Sequence, residues 1–187
     1  MADILIVYRT KNGQTEKIAN DIANHFQRMG HWTDLYNSEQ SVLISKGEYD
    51  AIIVGGPVYL GSFPRTLRRW VRRNHEALKS VPTAFFSVCL GVLQKDPKVQ
   101  AEERKIVQDF FATTKWVPQQ WTIFPGALLY SQYNWLTKII MKRIARKAGA
   151  PTDFSKDYEY TNWQEVRHFS ETFGQRLETK SHSPHLN

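Results

Sequence analysis

The stretch VYRTKNGQTEKIA, Val7 to Ala19, joins an apolar run to a helical pattern through a short polar loop. Upstream, DILIVY (Asp3–Tyr8) is almost wholly apolar, the pattern of a strand covered on both faces. Downstream, Ile18, Ala19, Ile22, Ala23, Phe26 and Met29 recur at helical spacing from about Thr15, and Gly30 ends the run. Between them stand Thr10, Asn12, Gly13 and Thr15. Gly13 allows a close turn around an anion, and the Thr and Asn side chains offer short donors. The helix starting at Thr15 adds its positive end. These features describe a phosphate cradle that needs neither lysine nor metal. The same residues also suit a helix cap without a ligand. Neither GxxxxGK[ST] nor GxGxxG is present, so a mononucleotide fits better than a dinucleotide.

The pattern repeats along the chain. HWTDLYN (His31–Asn37) is a second strand and YDAIIVGGP (Tyr49–Pro57) a third. Pro64 opens a helix whose Leu67, Trp70 and Val71 point inward. TAFFSVCL (Thr83–Leu90) is a fourth strand. Asp96-Pro97 caps a helix reaching about Thr114, and QWTIFPGALL (Gln120–Leu129) is a fifth strand, interrupted at Pro125-Gly126. Asn162 and Glu165 form a capping pair for a last helix, with Trp163, Val166, Phe169, Phe173 and Leu177 inward. Strands alternating with helices give a doubly wound α/β fold, a five-stranded parallel sheet in the order 2-1-3-4-5. We expect a single domain over 1–179, a basic helical insertion over about 130–160, and a flexible tail over 180–187.

The 187 residues are 41% apolar and 13% aromatic, which suits a folded globule rather than a disordered chain. A single cysteine, Cys89, excludes an intramolecular disulfide and a cysteine-based zinc cluster, and the six histidines lack metal-ligand spacing. No metal is expected. No signal peptide is visible and no apolar run nears the roughly 20 residues of a membrane span, so a cytoplasmic protein is expected. Twenty-five Lys and Arg against 18 Asp and Glu give +7 and point to an anionic partner.

Two further loops end strands on the same rim as the first. GGPVYLGSF (Gly55–Phe63) and SVCLGV (Ser87–Val92) are short, apolar and Gly-bearing, and Tyr59 can lie on a flat ring. One loop for phosphate and two for a planar heterocycle describe a flavin mononucleotide (FMN) site. IVYRTKNGQTEKIA (Ile6–Ala19) matches the flavodoxin signature position by position: apolar pair, aromatic, hydroxyl, small residue, Thr, then Ala. PTAFFSV (Pro82–Val88), GALLYSQYNW (Gly126–Trp135) with the basic helix after it, and YTNWQEV (Tyr160–Val166) resemble the menaquinone-dependent protoporphyrinogen oxidase family of the flavodoxin-like class. The resemblance runs from Ile4 to about Phe173. PVYLGSF departs from the family pattern, which carries an Arg before the Tyr.

The resemblance implies that Thr10, Lys11, Asn12, Gly13, Gln14 and Thr15 hold the FMN phosphate. Pro57, Val58, Tyr59 and Gly61 would border the ring, and Ser87, Val88, Cys89, Leu90 and Gly91 would close its other side. Cys89 itself reads better as a small apolar filler than as a redox group. The implied reaction is FMN-dependent oxidation of protoporphyrinogen IX, with electrons passed to menaquinone or ubiquinone. The flavin carries the chemistry, and no catalytic side chain is singled out. Arg65 and Tyr130 are the substrate candidates. Arg65 opens a helix that also carries Arg68, Arg69, Arg72 and Arg73, opposite Leu67, Trp70 and Val71. Trp135, Lys138, Lys142, Arg143 and Arg146 lie on an amphipathic segment suited to an anionic membrane surface, so a peripheral position on the inner face of the cell membrane is expected. No nucleic-acid reader is recognised. The alternatives are a flavodoxin-type electron carrier, which a +7 charge disfavours because carriers are typically acidic, and an NAD(P)H:quinone oxidoreductase.

Overall fold

The computed structural model describes residues 1–132 and 155–181, together with Ile139, Arg146 and Asp153. Its centre is a five-stranded parallel sheet of β1 (Asp3–Tyr8), β2 (Trp32–Asn37), β3 (Ala51–Pro57), β4 (Thr83–Val88) and β5 (Gln120–Phe124), in the order β2-β1-β3-β4-β5. Ile6 pairs with Leu35 on one side and Ile53 on the other, which sets the register of the first three strands. The helices are α1 (Gln14–Arg28), α2 (Arg65–Arg73), α3 (His75–Ser80), α4 (Pro97–Thr114) and α5 (Trp163–Ser181).

Strand alternation divides the core in two. Ile4, Ile6, Ile53 and Phe86 face α1 and α5, where Phe26 and Phe173 meet edge to face at 6.4 Å. Leu5, Val7, Ile52, Val54 and Phe85 face α2 and α4, where Phe85 stacks on Phe110 at 5.3 Å. A fully buried side chain of this size contributes about 1.5–3 kcal/mol relative to exposure, so burying both faces of β1, β3 and β4 is the main reason these continuous apolar runs become strands. Gly55 is required by packing: a Cβ there would sit 2.0 Å from Phe86 Cζ.

One boundary differs from expectation. The fifth strand ends at Phe124, and Ala127–Leu128 leaves the sheet as β6 to pair antiparallel with β7 (Tyr158–Glu159). Pro125 supplies no N–H for a ladder bond, so the chain turns away there. The helix after Pro64 stops at Arg73. The Asn74 side chain donates to the Trp70 and Val42 carbonyls and accepts the Ile44 amide at 2.7 Å, and a second short helix, α3, then starts at His75. Among the described residues no helix is long and apolar enough to cross a membrane, and no group of His, Cys, Asp and Glu is arranged to hold a metal ion.

Candidate functional site

The three loops foreseen on the rim follow β1, β3 and β4, which are adjacent in the sheet. Parallel strands place all three carboxyl ends on one edge, and helices on opposite faces leave a crevice there. The loops are also linked directly. The Arg9 amide donates to the Gly55 carbonyl at 3.0 Å, and the Val58 amide donates to the Val88 carbonyl at 3.0 Å.

In the first loop Gly13 has φ +81°, a left-handed conformation that a side chain resists. Its amide donates to Thr10 Oγ1 at 2.9 Å, closing the turn. The first helical bond of α1 runs from the Lys17 amide to the Gly13 carbonyl, so the amides of Gln14, Thr15 and Glu16 have no partner among the described residues. Thr15 is buried at the same point. Unpartnered amides at a helix N-terminus, under a glycine turn with nothing within 4 Å of a hypothetical Cβ, fit a phosphate. Asn12 is half-buried beside them.

Two members of this loop do something the sequence did not show. Gln14 turns inward and donates from Nε2 to Glu159 Oε1 at 3.0 Å and to Thr161 Oγ1 at 2.8 Å. It therefore ties α1 to the strand that returns from the insertion, and only its backbone faces the cradle. Lys11 places Nζ 3.3 Å from the centroid of the Tyr59 ring. That cation–π contact joins the phosphate loop to the second loop.

In the second loop Pro57, Val58 and Tyr59 are half-buried. Tyr59 and Ser62 exchange two backbone bonds, of 2.9 and 3.2 Å, across a tight turn whose central residues Leu60 and Gly61 both have positive φ. Leu60 stands 76% exposed at its tip.

In the third loop Ser87 and Val88 are buried within β4, and Leu90 and Gly91 are half-buried at the rim. Cys89 donates its thiol proton to Glu103 Oε2 at 2.9 Å. Burial first, then the Glu103 carboxylate, pushes the thiol well above the ordinary cysteine range, so it is protonated at neutral pH. This is the environment of a filler, not of a nucleophile. Glu103 lies 14 residues away on α4, and no local pattern announces the pairing.

The other candidates separate. Arg65 is exposed at the start of α2, directly after the second loop. Arg72 donates from Nε and Nη2 to the Thr113 carbonyl at 3.1 and 2.7 Å, capping α4. Tyr130 does not stand in the open as a substrate candidate should. It is 0% exposed, edge-on to Tyr158 at 6.2 Å in a small cluster with Leu128 and the half-buried Leu90 and Tyr160. An aromatic ring after a strand break is more stable covered than wet, and the β6–β7 ladder covers this one. Arg146 is helical and exposed. Trp135, Lys138, Lys142 and Arg143, and the tail residues 182–187, lie outside the described residues.

Comparison with known proteins agrees with this arrangement. The flavodoxin domain family matches residues 5–155. The protoporphyrinogen IX dehydrogenase [quinone] of Escherichia coli K12 is 29% identical over 89% of this chain and 91% of its own. That of Leishmania major is 30% identical over 90% of this chain and 73% of its own. A flavodoxin variant of Fusobacterium nucleatum, solved bound to FMN, superposes with a TM-score of 0.51 over 96% of this chain and 97% of its own, at 10% identity. That last likeness concerns the fold.

Proposed function

Because the chain belongs to the flavodoxin domain family and, within it, to the protoporphyrinogen IX dehydrogenases, we propose that it is an FMN enzyme that oxidises protoporphyrinogen IX to protoporphyrin IX and delivers the electrons to a membrane quinone. The observation that carries this reading is that relatives so named align along about nine-tenths of the chain, and the flavodoxin domain match, residues 5–155, takes in all three rim loops. The protein would thus serve haem biosynthesis from the inner face of the cell membrane.

FMN, when bound, supplies the acceptor for hydrogen removed from carbon and the donor for the quinone. The chain supplies position and electrostatics. The amides of Gln14, Thr15 and Glu16, with the hydroxyl of Thr10 and the side chain of Asn12, take the phosphate. Tyr59 would border one side of the ring, with Lys11 over its own ring linking the first loop to the second. Val88, Leu90 and Gly91 close the other side and exclude water. Gln14 anchors the returning strand β7 to the phosphate loop, so the insertion between β6 and β7 starts and ends beside the cofactor. Arg65 faces the anionic substrate from the edge of the second loop; its carboxylates suit a guanidinium.

The test is direct. The purified protein is expected to bind FMN at a one-to-one ratio, and porphyrin fluorescence should rise from protoporphyrinogen faster with a quinone than by autoxidation. No quinone-dependent gain would remove this reading. Rapid bleaching of the flavin by NADPH alone would favour the quinone reductase instead.

A further inference from the structure

The hydroxyl of Thr161 stands where three segments distant in sequence meet. It accepts from Gln14 Nε2 at 2.8 Å and donates to the Pro125 carbonyl at 3.0 Å. Glu159 Oε1, two residues earlier, accepts from the same Gln14 nitrogen at 3.0 Å. We propose that Thr161 is a positioning residue for the cofactor's phosphate. It holds the Gln14 side chain inward and thereby keeps the first amides of α1 aimed at the phosphate. The proposal rests on the reading of Thr10–Thr15 as the phosphate loop.

A carboxylate only accepts, so Gln14 must turn its nitrogen toward Glu159, and that nitrogen has two protons to give. Glu159 takes one and Thr161 the other. Gln14 is 6% exposed, so this orientation is also confined by packing. Thr161 is confined in turn by Pro125, the residue at which the chain leaves the sheet.

The phosphate loop needs such an outside anchor. Gly13, at φ +81°, has nothing within 4 Å of a hypothetical Cβ, so no packing supports the turn at that point. The bond from the Gly13 amide to Thr10 Oγ1 holds the turn from its N-terminal side. On the C-terminal side the hold is the Gln14 side chain. Lys17 meets Glu159 Oε2 at 3.8 Å, but both side chains are well exposed, and such a pair contributes little. Fixing Gln14 preorganises the amides of Gln14, Thr15 and Glu16, which lowers the ordering cost of binding an anion there. Neither hydrogen bond of Thr161 reaches the second or third loop, which border the ring. Its effect is therefore specific to the phosphate.

The full-length protein is titrated with FMN and with riboflavin, which has the same ring and no phosphate, and flavin fluorescence quenching gives both affinities. The wild type is expected to prefer FMN. Thr161→Val keeps the side-chain shape and removes the hydroxyl. It should weaken FMN about fivefold or more and leave riboflavin unchanged. Thr161→Ser keeps the hydroxyl and should restore FMN affinity. Gln14→Met should show the same FMN-selective loss, and the double variant should lose no more than either single one, because both break one linkage. Amide exchange on the wild type needs no variant. FMN, and not riboflavin, should slow exchange at Tyr160, whose amide donates to the Gly126 carbonyl at 3.0 Å beside Thr161. A Thr161→Val protein that loses both flavins equally, or neither, overturns the proposal, as do additive losses or Tyr160 exchange indifferent to FMN. A wild type that binds the two flavins equally overturns the phosphate loop itself, and the proposal with it.

Discussion

Gly13 shows how one backbone angle governs the site. At φ +81° any other residue costs about 1–2 kcal/mol, and no neighbour obstructs a Cβ, so the cost is conformational. Gly13→Ala is therefore expected to fold, but to weaken FMN about tenfold as the loop relaxes and its amides diverge, read by flavin fluorescence quenching. Cys89 makes the complementary case. Burial and Glu103 raise its pKa, so alkylation by iodoacetamide should stay slow well above neutral pH. Glu103→Gln should lower that pKa, yet leave it above the ordinary thiol, because burial is the larger cause. Tyr8 gives a pH dependence of stability. Burial, and its hydroxyl's bond to Glu16 at 2.8 Å, raise its pKa from 10.0 to about 12. The folded state thus holds a proton that the unfolded chain releases. This contribution is fully present below pH 10 and is lost as the pH rises toward 12. Urea midpoints should fall across that window, and Tyr8→Phe should flatten the fall. Tyr49, raised in the same direction by burial and by Asp34, adds to it.

At the level of elements, capping and punctuation were legible, while long-range partners were not. Asp96 accepts the Lys98 amide at 2.9 Å with Pro97 at the first helical position, as the local pattern indicates. Asp96→Ala should cost α4 about 1 kcal/mol, seen as a lower Tm. Asn162 likewise caps α5, its Oδ1 accepting the Gln164 and Glu165 amides at 3.1 and 3.4 Å, while its Nδ2 donates to Glu165 Oε1 at 3.0 Å. The break at Pro125-Gly126 was visible, but the destination of Ala127–Leu128 was not, because their partner strand lies some thirty residues on. The same holds for Gln14, whose acceptors Glu159 and Thr161 are 145 and 147 residues away.

For the whole molecule the charge of +7 sets an expectation at the membrane surface. Co-sedimentation with anionic vesicles should occur, weaken with added salt, and diminish when Lys138, Lys142 and Arg146 are changed together to Glu. Unaltered sedimentation of that triple variant would defeat the membrane reading.

The sheet order, the element types and the three rim loops were determined by the amino-acid sequence alone. Apolar runs, helical periodicity and cap residues are local signals, and parallel strands then bring their carboxyl ends to one edge without further information. Tertiary structure decided which side chains of those loops face the crevice. Gln14 turns into the protein, Lys11 lies on Tyr59, Cys89 is held protonated by burial and by its bond to Glu103, and Tyr130 is covered. Each of these depends on groups far apart along the chain, whose meeting is fixed by packing across the sheet and not by any neighbour in sequence.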